Sequence, residues 1–159
     1  MNKLISKVIL LSVVFLIFIF FTKPTYAASI CWDGGGSGNT WGEDANWAGD
    51  TEPGSGDIAV FDNGTCSGSP NKNVMIGTSV NVQGINIVAY TGVITQSNGA
   101  DITLGSGGYT QASAPSTFTG GDATSDILIS GGGDFNLSNG VFTAPAGGFF
   151  FTDDFTKSG

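Results

Sequence analysis

Apolar residues in this chain come in short bursts separated by turn-forming residues. They recur as Val74-Met75-Ile76, Val80-Asn81-Val82, Ile85-Asn86-Ile87, Val93-Ile94-Thr95, Ile102-Thr103-Leu104, Ile127-Leu128-Ile129 and Phe149-Phe150-Phe151. Gly, Ser, Asn and Asp fill the gaps, and these residues close turns by adopting positive φ or bonding their own backbone. Beyond residue 27 no stretch carries apolar residues at a 3.6-residue period, so the pattern predicts short strands and almost no helix.

The bursts also come in pairs. Ile102-Thr103-Leu104 is followed by Gly-Ser-Gly-Gly and Tyr109-Thr110-Gln111. Ile127-Leu128-Ile129 is followed by Ser-Gly-Gly-Gly-Asp and Phe135-Asn136-Leu137, and Phe149-Phe150-Phe151 by Thr-Asp-Asp and Phe155-Thr156. The leading bursts begin at 102, 127 and 149, so the spacings are 25 (127 − 102) and 22 (149 − 127) residues. A degenerate period of this size, built of short strands and glycine turns, is the signature of a solenoid. Each strand would then pair with its equivalent about 4.8 Å away in the next coil. Phe149 and Phe151 would point inward and Phe150 outward. The expected fold is therefore all-β, a parallel β-helix. A β-sandwich is the alternative, although its strands are usually longer.

The N-terminus reads differently. Lys3 and Lys7 precede a run from Val8 to Phe21 that only Ser12 interrupts, and Thr25-Tyr26-Ala27 offers small residues for cleavage before Ala28. An uncleaved anchor would need about 20 apolar residues, a length reached only by including Ser6 and Lys7. The expected organisation is a signal peptide at 1–27, a Trp-rich cap region at 28–72 and degenerate solenoid repeats at 73–159. The product is expected to be secreted or on the cell surface, with no membrane partner once the signal is removed.

Beyond residue 27, Lys72 and Lys157 face all 13 acidic residues, a net charge of −11 (2 − 13). Such a surface repels nucleic acid, which is set aside as a partner. The chain has no His and no Arg. Imidazole acid–base catalysis, His metal ligands, Ser-His-Asp and Cys-His nucleophile systems and arginine clamps are thereby excluded. Val, Ile and Thr together number 30 beyond residue 27 against three Leu, which again favours strand. Cys31 and Cys66 are the only cysteines. In an exported chain they are expected to form a disulfide, since no C-x-x-C spacing or His partner supports a redox or metal-binding pair.

The head of the chain carries Cys31-Trp32-Asp33-Gly34-Gly35-Gly36, then Trp41, Asn46-Trp47 and Pro53-Gly54-Ser55-Gly56-Asp57-Ile58-Ala59-Val60-Phe61-Asp62. Further on come Tyr90-Thr91-Gly92-Val93-Ile94-Thr95-Gln96, Tyr109-Thr110-Gln111-Ala112, Gly140-Val141-Phe142-Thr143-Ala144-Pro145-Ala146-Gly147 and Asp154-Phe155-Thr156-Lys157-Ser158-Gly159. This series resembles the opening module of large bacterial secreted surface proteins with autotransporter-associated-type β-strand repeats. The resemblance implies an export-dependent β-helical surface protein, usually far longer than this chain, with no shared catalytic residues. The sequence stops inside what reads as another repeat, so we expect the N-terminal part of a longer protein, packed against further repeats of its own.

Candidate chemistry is sparse. Trp32, Trp41 and Trp47 could form a sugar-stacking platform or fill the cap. Asp33, Asp57 and Asp62 could hold calcium or simply close turns, and turns are the expectation. Gly131-Gly132-Gly133-Asp134-Phe135-Asn136-Leu137 lacks the spacing of a calcium-binding nonapeptide. Asp153-Asp154 could serve as acid and base, but no basic residue stands by to orient a substrate. No catalytic, cofactor or metal-binding residue is assigned. The expected function is a non-catalytic structural or adhesin-like surface solenoid, with surface glycans or other cell-surface proteins as partners. A carbohydrate-binding module using the Trp head, or the start of a polysaccharide-degrading β-helix enzyme, are the alternatives.

Overall fold

The computed structural model describes residues 27–113 and 115–158; apart from Ala27, the expected export signal lies outside them. The chain enters through β1 (Ala28–Cys31), passes a 3-10 turn at Asp44–Asn46 and continues into β2 (Asp57–Asp62). Four coils follow. The first holds β3 (Val74–Ile76) and β4 (Val80–Ala89), the second β5 (Val93–Gln96) and β6 (Ile102–Gln111). The third holds β7 (Thr117–Thr119), β8 (Asp126–Ile129) and β9 (Phe135–Leu137). The last holds β10 (Val141–Thr143), β11 (Gly148–Phe151) and β12 (Phe155–Lys157). Among the described residues there is no α-helix.

Every strand pairs in parallel with its equivalent one coil away. β3, β5, β7 and β10 form one face. The first halves of β4 and β6 form a second with β8 and β11. β1, β2, the second halves of β4 and β6, β9 and β12 form the third. The parallel register makes this a β-solenoid and rules out the sandwich. The sequence period is carried directly by the ladder: Ile102 pairs with Ile127 and Ile127 with Phe149, while Tyr109 pairs with Phe135 and Phe135 with Phe155.

The core is a set of columns running along the axis. Val82, Leu104 and Ile129 stack on the second face, and Ala59, Ile85, Tyr109 and Phe135 on the third, all buried. On the first face one column runs through Val74, Ile94, Phe118 and the half-buried Phe142, and the first coil adds a second buried residue, Ile76, paired with the buried Gln96. Each buried column removes apolar surface from water at roughly 25 cal/mol per Å². Buried amides tie successive coils together inside the rod. Gln96 Nε2 donates to Ala100 O at 2.6 Å and Asp126 O at 3.0 Å, and Gln111 Nε2 reaches Val141 O at 3.2 Å.

The corner between the second and third faces widens along the chain. One residue, Gln83, separates Val82 from Gly84, whereas Gly105, Ser106 and Gly107 separate Leu104 from Gly108 at the matching position. Gly108 sits at φ +60, and a Cβ there would collide with the backbone carbonyl of Asp134. The close passage of two coils therefore requires glycine at this position. In the third and fourth coils the same corner becomes a full turn, and β8 and β9, then β11 and β12, are separate strands.

Candidate functional site

The Trp-rich head covers the N-terminal end of the rod. Trp47 lies edge-on to Trp32 at 5.1 Å and to Trp41 at 4.7 Å, and all three rings lie within about 6 Å of Phe61. Phe61 in turn contacts Tyr90 of the next coil at 5.3 Å. Trp32, Trp41 and Trp47 are 0, 2 and 0 % exposed, so none presents a ring face to solvent. A sugar platform works by offering such a face, and a glycan would have to displace the cap to reach one. The indole N–H of Trp32 donates to Lys72 O at 3.0 Å and that of Trp47 to Trp41 O at 2.6 Å, the pairing that buried indoles require. Cys31 and Cys66 are bonded, with Cα atoms 5.5 Å apart, and fasten β1 to the segment after β2.

Sequence reading singled out the tryptophans but not the polar centre beside them. Asn46 is fully buried, and its side-chain amide is held on both sides. Oδ1 accepts from Gly36 N at 3.1 Å and Lys72 Nζ at 3.1 Å; Nδ2 donates to Thr40 O at 3.1 Å and Glu43 Oε2 at 3.1 Å. Lys72 Nζ also donates to Gly36 O at 2.6 Å and Gly34 O at 3.3 Å. Glu43 further accepts from the Ser37 and Gly38 backbone N–H groups and from the Ser37 hydroxyl. Desolvation pushes the Glu43 carboxyl up, but those Ser37 and Gly38 hydrogen bonds and the Lys72 charge outweigh it, so it titrates below the usual value of 4.5. The available signal was Lys72 itself, a lone cation in a strongly acidic segment.

The aspartates weighed for calcium close turns. Asp33 Oδ1 accepts from Gly35 N at 2.9 Å, Asp57 Oδ2 from Gly54 N at 2.9 Å and Asp62 Oδ1 from Gly64 N at 2.8 Å. A different group is brought together at the corner before the third face. Carboxylate oxygens of Asp134, Asp153 and Asp154 lie within 4.8 Å of one another, all exposed. Their proximity follows from the register. Phe135 and Phe155 are paired, so the residues before them, Asp134 and Asp154, stand one coil apart. Sequence reading weighed Asp134 and Asp153-Asp154 separately and did not bring them together, which aligning the two repeats on their phenylalanines would have done. Three carboxylates are hard oxygen donors of the type calcium takes, though calcium wants six to eight ligands.

At the far end, the rings of Tyr109, Phe135 and Phe155 stack at 5.1 and 5.2 Å with nearly parallel planes, and Phe155 is 52 % exposed. Phe150 points outward at 55 %, while Phe149 packs against the core and Phe151 against Phe149 and Phe155.

Comparison with protein-family models, curated proteins and solved structures finds no match for this chain.

Proposed function

We propose that the chain is a non-catalytic structural or adhesin-like segment of a secreted or cell-surface β-solenoid protein, the N-terminal part of a longer one. The observation that carries this reading is the continuous set of parallel ladders, with a filled interior and buried glutamines bonded between coils. Such a rod displays outward residues in columns along each face, which suits a stalk or a display surface. Among the described residues no buried side-chain polar atom lacks a hydrogen-bond partner, as expected of a scaffold and not of a strained site. The Cys31–Cys66 bond supports an oxidising location. The resemblance of the head and repeats to bacterial surface proteins agrees with both.

Surface labelling of intact producing cells, combined with N-terminal sequencing of the exported product, tests the reading. Labelled or released protein beginning near Ala28 supports it. Release of soluble sugar from a polysaccharide by the full chain, lost on replacing Asp153 and Asp154 by Asn, would replace it with the hydrolase reading. The burial of Trp32, Trp41 and Trp47 weighs against the glycan-binding alternative.

A further inference from the structure

The polar centre under the Trp cap holds a nucleophile, an electrophile, an oxyanion donor and a proton carrier in one place. Lys72 Nζ is 3.1 Å from Oδ1 of Asn46, one bond from the amide carbon Cγ. The same Oδ1 receives the Gly36 N–H, which stabilises negative charge developing on that oxygen. The nitrogen that would leave, Nδ2, donates to Glu43 Oε2 at 3.1 Å. The amide is oriented without ambiguity, because its oxygen faces two donors and its nitrogen two acceptors. Asn46 has no solvent exposure, so water is kept from the reacting carbon.

We propose that Lys72 and Asn46 mature into an intramolecular isopeptide bond. The Lys72 ammonium gives up a proton to solvent, and the Glu43 carboxylate, which accepts from the Ser37 and Gly38 N–H groups and from Asn46 Nδ2, takes one up. The freed lone pair on Nζ attacks Cγ, forming the Nζ–Cγ bond as the carbonyl π pair moves onto Oδ1. The pair returns, the Cγ–Nδ2 bond breaks, and Nδ2 departs with its two hydrogens and the proton from Glu43. A second proton, from the former ammonium nitrogen, leaves with it through Glu43. The balance is one ammonium and one primary amide giving one secondary amide and one ammonium ion, with no oxidation or reduction and no outside reagent. Lys72 Nζ is fixed beside the Asn46 amide by three acceptors, and the reaction is a single event after folding, driven by proximity. The bond would close a loop with a sequence separation of 26, interlocked with the disulfide loop of separation 35. The head would then be closed by two covalent ties, one of them indifferent to reduction.

Intact mass spectrometry of the exported, folded protein, followed over days at neutral pH, tests this. The expected mass falls below that of the disulfide-bonded chain by one ammonia. Succinimide formation at Asn63-Gly64, Asn98-Gly99 or Asn139-Gly140 would give the same deficit, so the site is read by cleavage before aspartates after disulfide reduction. The segments holding Asn46 and Lys72 should emerge as one branched peptide. Lys72→Arg, which keeps the charge and the hydrogen bonds, and Glu43→Gln should both remain at full mass while folded. A wild-type protein that stays at full mass, or a Lys72→Arg variant with the same deficit and no branched peptide in wild type, overturns the proposal.

Discussion

Asp101 Oδ1 accepts the backbone N–H of Asp126, the residue one coil further on, at 3.0 Å. The relation repeats along the same corner. Ser79 Oγ accepts the N–H of Asp101 at 3.0 Å, and Asp126 Oδ1 accepts the N–H of Gly148 at 2.6 Å. At a corner the strand ladder is interrupted, and the backbone N–H loses the carbonyl that would take it within a strand. A short side-chain acceptor from the previous coil replaces that partner. Gly148, next in the column, has no side chain and passes nothing on.

This column predicts a graded response. Asp101→Ala should lower stability by about 1 kcal/mol, the usual net value of one hydrogen bond, while Asp101→Asn, which keeps the acceptor oxygen, should lose less. Urea melts of the two variants against wild type check this. Equal losses would mean that the carboxylate charge, and not the bond to Asp126, matters at the corner.

The aromatic column makes a larger prediction. Phe135 is 1 % exposed and stacks between Tyr109 and Phe155 while touching Phe142 and Phe149. Phe135→Ala removes a ring from the centre of that set and should cost about 3–5 kcal/mol. Phe150→Ser alters an outward position and should change stability little while improving solubility. Thermal melts and light scattering on the two variants separate the roles. If Phe150→Ser destabilises as much as Phe135→Ala, the inward and outward assignment of β11 is wrong.

These assignments were legible because two faces of the coil carry alternating apolar residues, and the repeat read at 102, 127 and 149 is the pairing register itself. The first face was hidden as a repeating element. Thr117-Phe118-Thr119 buries one ring between two threonines and shows no apolar run, and only its pairing with Val93-Ile94-Thr95 and Val141-Phe142-Thr143 makes it a strand. The polar centre was hidden for another reason. Asn46, Glu43, Lys72 and Gly36 meet through the fold of the head loop, and no period in the sequence links positions so unevenly spaced. The Trp cluster was visible as a set of residues, whereas its burial depends on Phe61 of β2 and, behind it, Tyr90 just past the end of β4, both distant in the chain.

The disulfide should act on the head as a whole. Closing a loop of separation 35 is worth roughly 3–4 kcal/mol by the chain-entropy argument. Reduction under native conditions should lower the melting temperature and expose the indoles, read as a red shift in tryptophan emission. Cys31→Ser with Cys66→Ser should reproduce both changes. An unchanged emission maximum would show that packing against Phe61 alone holds the cap.

Acid should loosen the same head. The Glu43 carboxyl titrates below its usual value of 4.5 in the folded chain, because the Ser37 and Gly38 hydrogen bonds and Lys72 favour the charged form over the opposing desolvation. A depressed folded value means that its contribution is fully present above the unfolded value and is lost as pH falls through the folded one. Asp122, lowered chiefly by the Thr124 hydroxyl and N–H, contributes with the same sign on the opposite part of the rod. The melting temperature should therefore fall as pH drops from about 6 to about 3, a range spanning the carboxylate values, and fall less steeply in Glu43→Gln, which has no charge to lose there. The difference between the two slopes isolates Glu43 from Asp122. Tryptophan emission should shift with it, since Asn46, Glu43's partner, adjoins Trp47 in the chain. Parallel slopes in wild type and Glu43→Gln would place the acid sensitivity outside the head.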